Sequence, residues 1–142
     1  MSTRVKTWIT IIAIVGMLVY VSWRQADSLR PLTPIRGLGE ALALVGLAGW
    51  AAARIQLGKS FSIRAKATEL VTKGIYSKIR NPVYVFGTVL IAGIILWIGS
   101  PVWLLVLLGV LPMQVIRARK EAQVLEAKFG EAYRAYRART WF

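Results

Sequence analysis

Apolar residues in this chain fall into long unbroken blocks, without the period-two alternation of half-buried strands. The first, "WITIIAIVGMLVYVSW", runs from Trp8 to Trp23 behind Arg4 and Lys6. It resembles a signal-peptide core, but no small-x-small cleavage site follows cleanly. Tryptophan bounds it at both ends, as in a retained span. The second, "LGEALALVGLAGWAAARI", covers Leu38 to Ile55, with Glu40 at its edge and Gly46 and Gly49 suited to close helix contact. A Pro-bearing loop, "RQADSLRPLTPIRG", separates the two. From Val83 to Ile116 there follow 34 nearly uncharged residues. One helix of that length would measure about 50 Å against a hydrocarbon core of about 30 Å. The run must turn, and Gly99–Ser100–Pro101 is the natural place. Beyond it, Glu121, Leu125, Phe129, Ala132, Tyr133 and Tyr136 recur every three or four residues, which puts them on one helical face, with Gly130 as a break. A weaker stripe of Ile63, Ala67 and Leu70 suggests a helix over Leu57–Leu70, at the membrane surface or folded over the cytoplasmic ends of the bundle. The pattern predicts an all-α polytopic membrane protein of one domain, residues 1–142. It has four transmembrane helices and a cytoplasmic amphipathic C-terminal helical segment.

Charge sets the expected orientation. The balance is +13, with 19 Lys and Arg against 6 Asp and Glu. The basic residues gather between apolar blocks, which fits cytoplasmic loops facing anionic lipid better than nucleic acid. Arg54, Lys59, Arg64, Lys66, Lys73, Lys78 and Arg80 precede the long apolar run, and Arg117 to Arg139 follow it. The turn at Gly99 carries no charge. Both termini are therefore expected in the cytoplasm, although Arg24, Arg30 and Arg36 sit awkwardly on the other side. No cysteine and no histidine are present, and the few acids are scattered, so no metal site is expected.

Candidate chemistry collects at the cytoplasmic ends of the long run: Tyr76, Arg80, Asn81, Tyr84 and Glu121. Polar groups beside hydrocarbon are costly unless paired, so their partners are expected within this group, with Arg80–Glu121 the obvious ion pair. A purely structural reading also exists. Pro82 can begin a helix, Asn81 can cap it, and Tyr84 can belong to an interfacial belt. Trp8, Trp23, Trp50, Trp97 and Trp103 read as anchors or packing. Gly87, Gly93 and Gly109 read as sites of close helix approach, and Pro112 as a kink.

The order of these pieces resembles the isoprenylcysteine carboxyl methyltransferase family and its bacterial relatives, which are also similar to phospholipid N-methyltransferases. Matching residues are Leu57 to Ser62 ("LGKSFS"), Gly74 and Tyr76, then Arg80, Pro82 and Tyr84. After the hairpin come Glu121, Leu125, Phe129, Gly130, Tyr133 and Tyr136. The similarity spans about Gln56 to Phe142. It implies a membrane-embedded methyltransferase that uses S-adenosyl-methionine and methylates a lipidic or prenylated carboxylate. The bacterial relatives imply a bacterial inner membrane. The cofactor would contact Gly74, Tyr76, Asn81, Pro82, Tyr84, Gly87, Glu121, Tyr133 and Tyr136, and Arg80, Asn81 and Glu121 would carry the catalytic roles. Carboxylate methylation is compatible with the lack of histidine, because an ionised carboxylate is already nucleophilic and alignment supplies much of the rate. Two positions depart from the family pattern: Asn81 stands where the family has His, and Ala122 replaces the second Glu of a pair. With few spans to wall an acceptor tunnel, a homo-oligomer is one expectation. The alternative function is an inactive family member that binds a lipid or membrane partner.

Overall fold

Thr33 and Pro34 open the first fully described helix, α1 (Pro34–Leu57). Proline fits the first helical position because its missing N–H would have no intrahelical partner there. The Thr33 carbonyl accepts from the N–H of Arg36 at 2.9 Å and of Gly37 at 3.1 Å. The computed structural model describes residues 33–58, 70–99 and 101–142. It also describes Val5, Trp8, Ile9, residues 11–16, Val19, Tyr20 and Trp23, all helical. The expected helix over Leu57–Leu70 lies almost wholly outside the described residues, as do Ser100 and parts of the Trp8–Trp23 block.

After α1 the described chain makes a 3-10 turn at Gly74–Ser77 and enters α2 (Pro82–Ile98). Gly99 ends α2 in the left-handed region (φ 76°), with its N–H donating to Leu96 O at 3.0 Å. A second 3-10 turn, Pro101–Leu105, leads into α3 (Val106–Phe129), which runs on through Pro112. Gly130 (φ 50°) breaks the chain between α3 and α4 (Glu131–Arg139). The turn at Gly99 and the break at Gly130 fall where the sequence places them.

α1 and α2 pack antiparallel along a row of small residues. A Cβ on Gly39 would strike the backbone of Trp97 and Gly93; one on Gly46 would strike Leu90, and one on Gly93 would strike Ala43. Gly49 accommodates the Phe86 ring in the same way. The backbones can approach this closely only because these side chains are missing, and dispersion then holds the pair together. Ala43, Leu47, Leu90 and Trp97 form the buried core, with Ile14 of the first block against it. The expected close contact at Gly109 does not occur, since nothing lies within 4 Å of its added Cβ.

The expectation of four spans is corrected. Among the described residues two helical stretches are long and apolar enough to cross a membrane, Pro34–Leu57 and Val102–Phe129. α2 has 17 residues, which is about 26 Å of helix and short of a core of about 30 Å. Splitting the long apolar run at Gly99 does not yield two spans. Gly99 stops α2 early, whereas α3 continues past the run to Phe129. Leu44, Val45, Leu105, Leu108, Met113 and Ile116 remain exposed, as expected of helices that face lipid. Arg36, awkward by charge counting, packs against Gly99 at the C-terminal end of α2, where a cation meets the negative end of the helix dipole.

Candidate functional site

Four elements meet at the start of α2. The Gly74–Ser77 turn is held to α1 by Gln56, whose Oε1 accepts from Ile75 N–H at 2.9 Å. Gly74 has φ 61°, and a Cβ there would collide with the Gln56 amide, so glycine is required twice over. Tyr76 is buried; its hydroxyl donates to Ala53 O at 3.4 Å, and its carbonyl accepts from the Tyr136 hydroxyl at 2.8 Å. One buried tyrosine thus joins α1 to α4.

α2 and α3 are linked by polar side chains spaced along their facing sides. The Tyr84 hydroxyl donates to Glu121 Oε1 at 2.7 Å. One turn further along α2, Thr88 Oγ1 lies 2.9 Å from Gln114 Oε1 and 3.0 Å from Tyr84 O. The expected Arg80–Glu121 ion pair is not formed. Glu121 takes its hydrogen bond from Tyr84 and feels Arg117 as its nearby cation, while the charge of Arg80 acts on Tyr133 and Tyr136. The reason is the path of the chain. The backbone N–H of Arg80 is tied to Trp141 O at 2.8 Å, which sets it on the α4 side.

Pro82 begins α2, as the sequence predicts, and is fully buried, and Asn81 occupies the capping position. The Asn81 side chain makes no capping hydrogen bond. Its carbonyl accepts from Tyr84 and Val85, and its N–H donates to Phe142 O at 2.9 Å. Gly87 lies against α1, where the nearest atom to its added Cβ belongs to Trp50, at 3.7 Å.

Tyr133 is 1% exposed, and its hydroxyl has no hydrogen-bond partner among the described residues. Arg80, Arg137, Glu126 and Glu121 all lie within electrostatic reach of it. A buried hydroxyl without a partner costs stability, so it marks a place where a polar ligand can complete the structure. The Arg80 guanidinium, the Asn81 amide and Glu121 Oε2 are likewise without hydrogen-bond partners among the described residues. Together these offer donors and acceptors suited to a zwitterionic, hydroxyl-bearing molecule such as S-adenosyl-methionine. Burial raises the pKa of Tyr76 well above its ordinary value, with the neighbouring Tyr136 and Glu121 adding to the effect. Burial also pushes Tyr136 up to about 12 and raises Tyr133, in both cases against the pull of Arg80. These phenols are therefore neutral hydrogen-bonding groups near pH 7.

Sequence reasoning missed Gln56, Thr88, Gln114 and the pair Trp141–Phe142. Gln56 and Gln114 are polar residues within or beside apolar blocks, which is a legible signal. The last pair acts through its backbone and leaves none.

Described residues that are almost wholly helical, with helices fit to cross a membrane and a polar cluster at their foot, define an all-α integral membrane protein. The phospholipid methyltransferase family matches residues 37–132, more than half the chain, and the protein belongs to that family. It is accordingly a membrane-embedded methyltransferase that uses S-adenosyl-methionine and acts on a lipid-like substrate. No match emerges among curated proteins or solved structures. The matched segment includes Tyr76, Arg80, Tyr84 and Glu121 and stops just before Tyr133.

Proposed function

We propose that the cluster of Tyr76, Arg80, Asn81, Tyr84, Glu121, Tyr133 and Tyr136 holds S-adenosyl-methionine, and that a membrane lipid with an amine-bearing head group is the acceptor. The observation that carries this reading is the buried Tyr133 hydroxyl, without a hydrogen-bond partner among the described residues and set among charged groups. When bound, the cofactor supplies an electrophilic methyl group on a sulfonium. Arg80 provides a cation for a carboxylate, while the Tyr133 hydroxyl and the Asn81 amide complete its polar contacts. Glu121 accepts from Tyr84 through one oxygen and keeps the other free. That oxygen can receive a proton from an ammonium group, which must become an amine before it can act as a nucleophile. Arg117, one turn before Glu121, suits the phosphate of a head group. Neighbouring apolar faces of α2 and α3 admit acyl chains and keep water scarce.

A carboxylate acceptor is the second reading. It is favoured by Arg80 and Arg117 together, and it needs no base. Cytoplasmic termini, binding of anionic lipid by the basic residues of α3 and α4, and assembly of copies into an oligomer belong to the same proposal. The test is transfer of a radiolabelled methyl group by purified protein in vesicles. One set contains phosphatidylethanolamine, and the other a prenylated or fatty carboxylate in phosphatidylcholine. Label in the amine lipid supports the first reading and label in the carboxylate the second. Label in neither, with the cofactor bound, would leave the inactive, lipid-binding alternative.

A further inference from the structure

Thr140 ends α4 in extended conformation (φ −119°, ψ 143°) and turns the chain back onto the foot of α2. There Trp141 and Ile79 form an isolated parallel β-bridge. Trp141 N–H donates to Lys78 O at 2.8 Å, Arg80 N–H donates to Trp141 O at 2.8 Å, and Asn81 N–H donates to Phe142 O at 2.9 Å. Two of these bonds fall on the backbone of Arg80 and Asn81. Neither side chain has a hydrogen-bond partner among the described residues, and the charge of Arg80 reaches Tyr133 and Tyr136 of α4. The Trp141 side chain is itself 66% exposed, in contact with the Phe142 ring.

We infer that residues 140–142 form a backbone latch that positions Arg80 and Asn81 for the cofactor, an inference that rests on the ligand site proposed above. The latch lies beyond the segment matched by the family. It ties the two sides of the cluster together, since α4 carries Tyr133 and Tyr136 and the segment Lys78–Asn81 carries the guanidinium and the amide. Backbone atoms perform the positioning, so the chemistry of side chain 141 is secondary and its N–H and C=O are essential. Proline at 141 removes the N–H and fixes φ near −65°, away from the extended ladder. Alanine keeps both groups.

The test compares wild type, Trp141→Ala, Trp141→Pro and a protein lacking residues 141–142, each purified in lipid nanodiscs. S-adenosylhomocysteine affinity is measured by calorimetry, helix content by far-ultraviolet circular dichroism, and KM and kcat where turnover is detectable. Trp141→Ala is expected to bind within about twofold of wild type. Trp141→Pro and the shortened protein are expected to bind about tenfold more weakly, with unchanged helix content and the loss mainly in KM for the cofactor. Wild-type affinity in the shortened protein would overturn the latch. So would equal weakening by alanine and proline, which would assign the effect to the indole, or collapse of the helical signal, which would make the contact one of folding. No binding by wild type would instead overturn the underlying site, a distinguishable result.

Discussion

Tyr133 and Glu121 show how much a single atom can decide in this molecule. Tyr133 has a phenol ring well packed against Tyr136, at 6.2 Å between ring centroids, and a hydroxyl with no hydrogen-bond partner among the described residues. If a ligand completes that hydroxyl, Tyr133→Phe should weaken S-adenosylhomocysteine binding by about tenfold. It should leave the melting temperature of the ligand-free protein equal or higher, because an unsatisfied group has gone. Calorimetry and a melting curve on one preparation check both halves; a lower melting temperature with unchanged affinity would make the residue structural. Glu121 differs because it is already paired. A double-mutant cycle with Tyr84→Phe and Glu121→Ala, read by thermodynamic stability, should give a coupling of about 1.5–3 kcal/mol, the range for hydrogen bonds to charged groups. Most of this cluster was legible in the sequence, because phenols, amides and charges beside hydrocarbon stand out and their order resembles a known family. Which of them pair was not legible. Arg80 and Glu121 are opposite charges at suitable positions, yet Glu121 pairs with Tyr84 and the charge of Arg80 acts on Tyr133 and Tyr136.

At the scale of elements, the same residue type means different things at different places. Gly93 admits the backbone of α1 and Gly109 touches nothing within 4 Å, although both are glycines in apolar helices. Gly93→Ala should therefore destabilise the protein by about 1–3 kcal/mol through overpacking against Ala43. Gly109→Ala should be neutral or stabilising by up to about 1 kcal/mol, since alanine is the better helix former. Unfolding in a denaturing detergent titration checks the pair, and equal effects would contradict the packing described. Helix ends were readable where glycine takes positive φ, at Gly99 and Gly130. Span number was not, because a continuous apolar run does not say where lipid gives way to protein contact. α2 is hydrophobic along its whole length but has only 17 residues; its burial against the small-residue face of α1 explains that composition. The latch at residues 141–142 was illegible for another reason: backbone hydrogen bonds between distant segments impose no side-chain pattern.

Among its described residues the molecule combines two membrane-length helices, a short helix packed on one of them, and a last helix that closes over their common foot. Ion pairs of Arg134 with Glu126 at 2.8 Å and Glu131 at 2.7 Å are exposed and contribute little to that closure. Buried tyrosines matter more. Tyr136 is raised from 10.0 to about 12 in the fold, so its neutral form is favoured there and unfolding lets the proton leave more readily. The resulting stability is fully present below pH 10 and is lost as pH rises towards 12. Melting temperature should fall across that window, and the fall should be shallower in Tyr136→Phe, whose neutral-pH stability is lower because the bond to Tyr76 O is missing. The most direct measurement is calorimetric titration of S-adenosylhomocysteine into purified wild type, Glu121→Ala and Tyr84→Ala in lipid nanodiscs. Saturable binding by wild type, weakened about tenfold or more in both variants with their helix content intact, is the expected result. Wild-type affinity in both variants would contradict a cofactor site at the foot of α2.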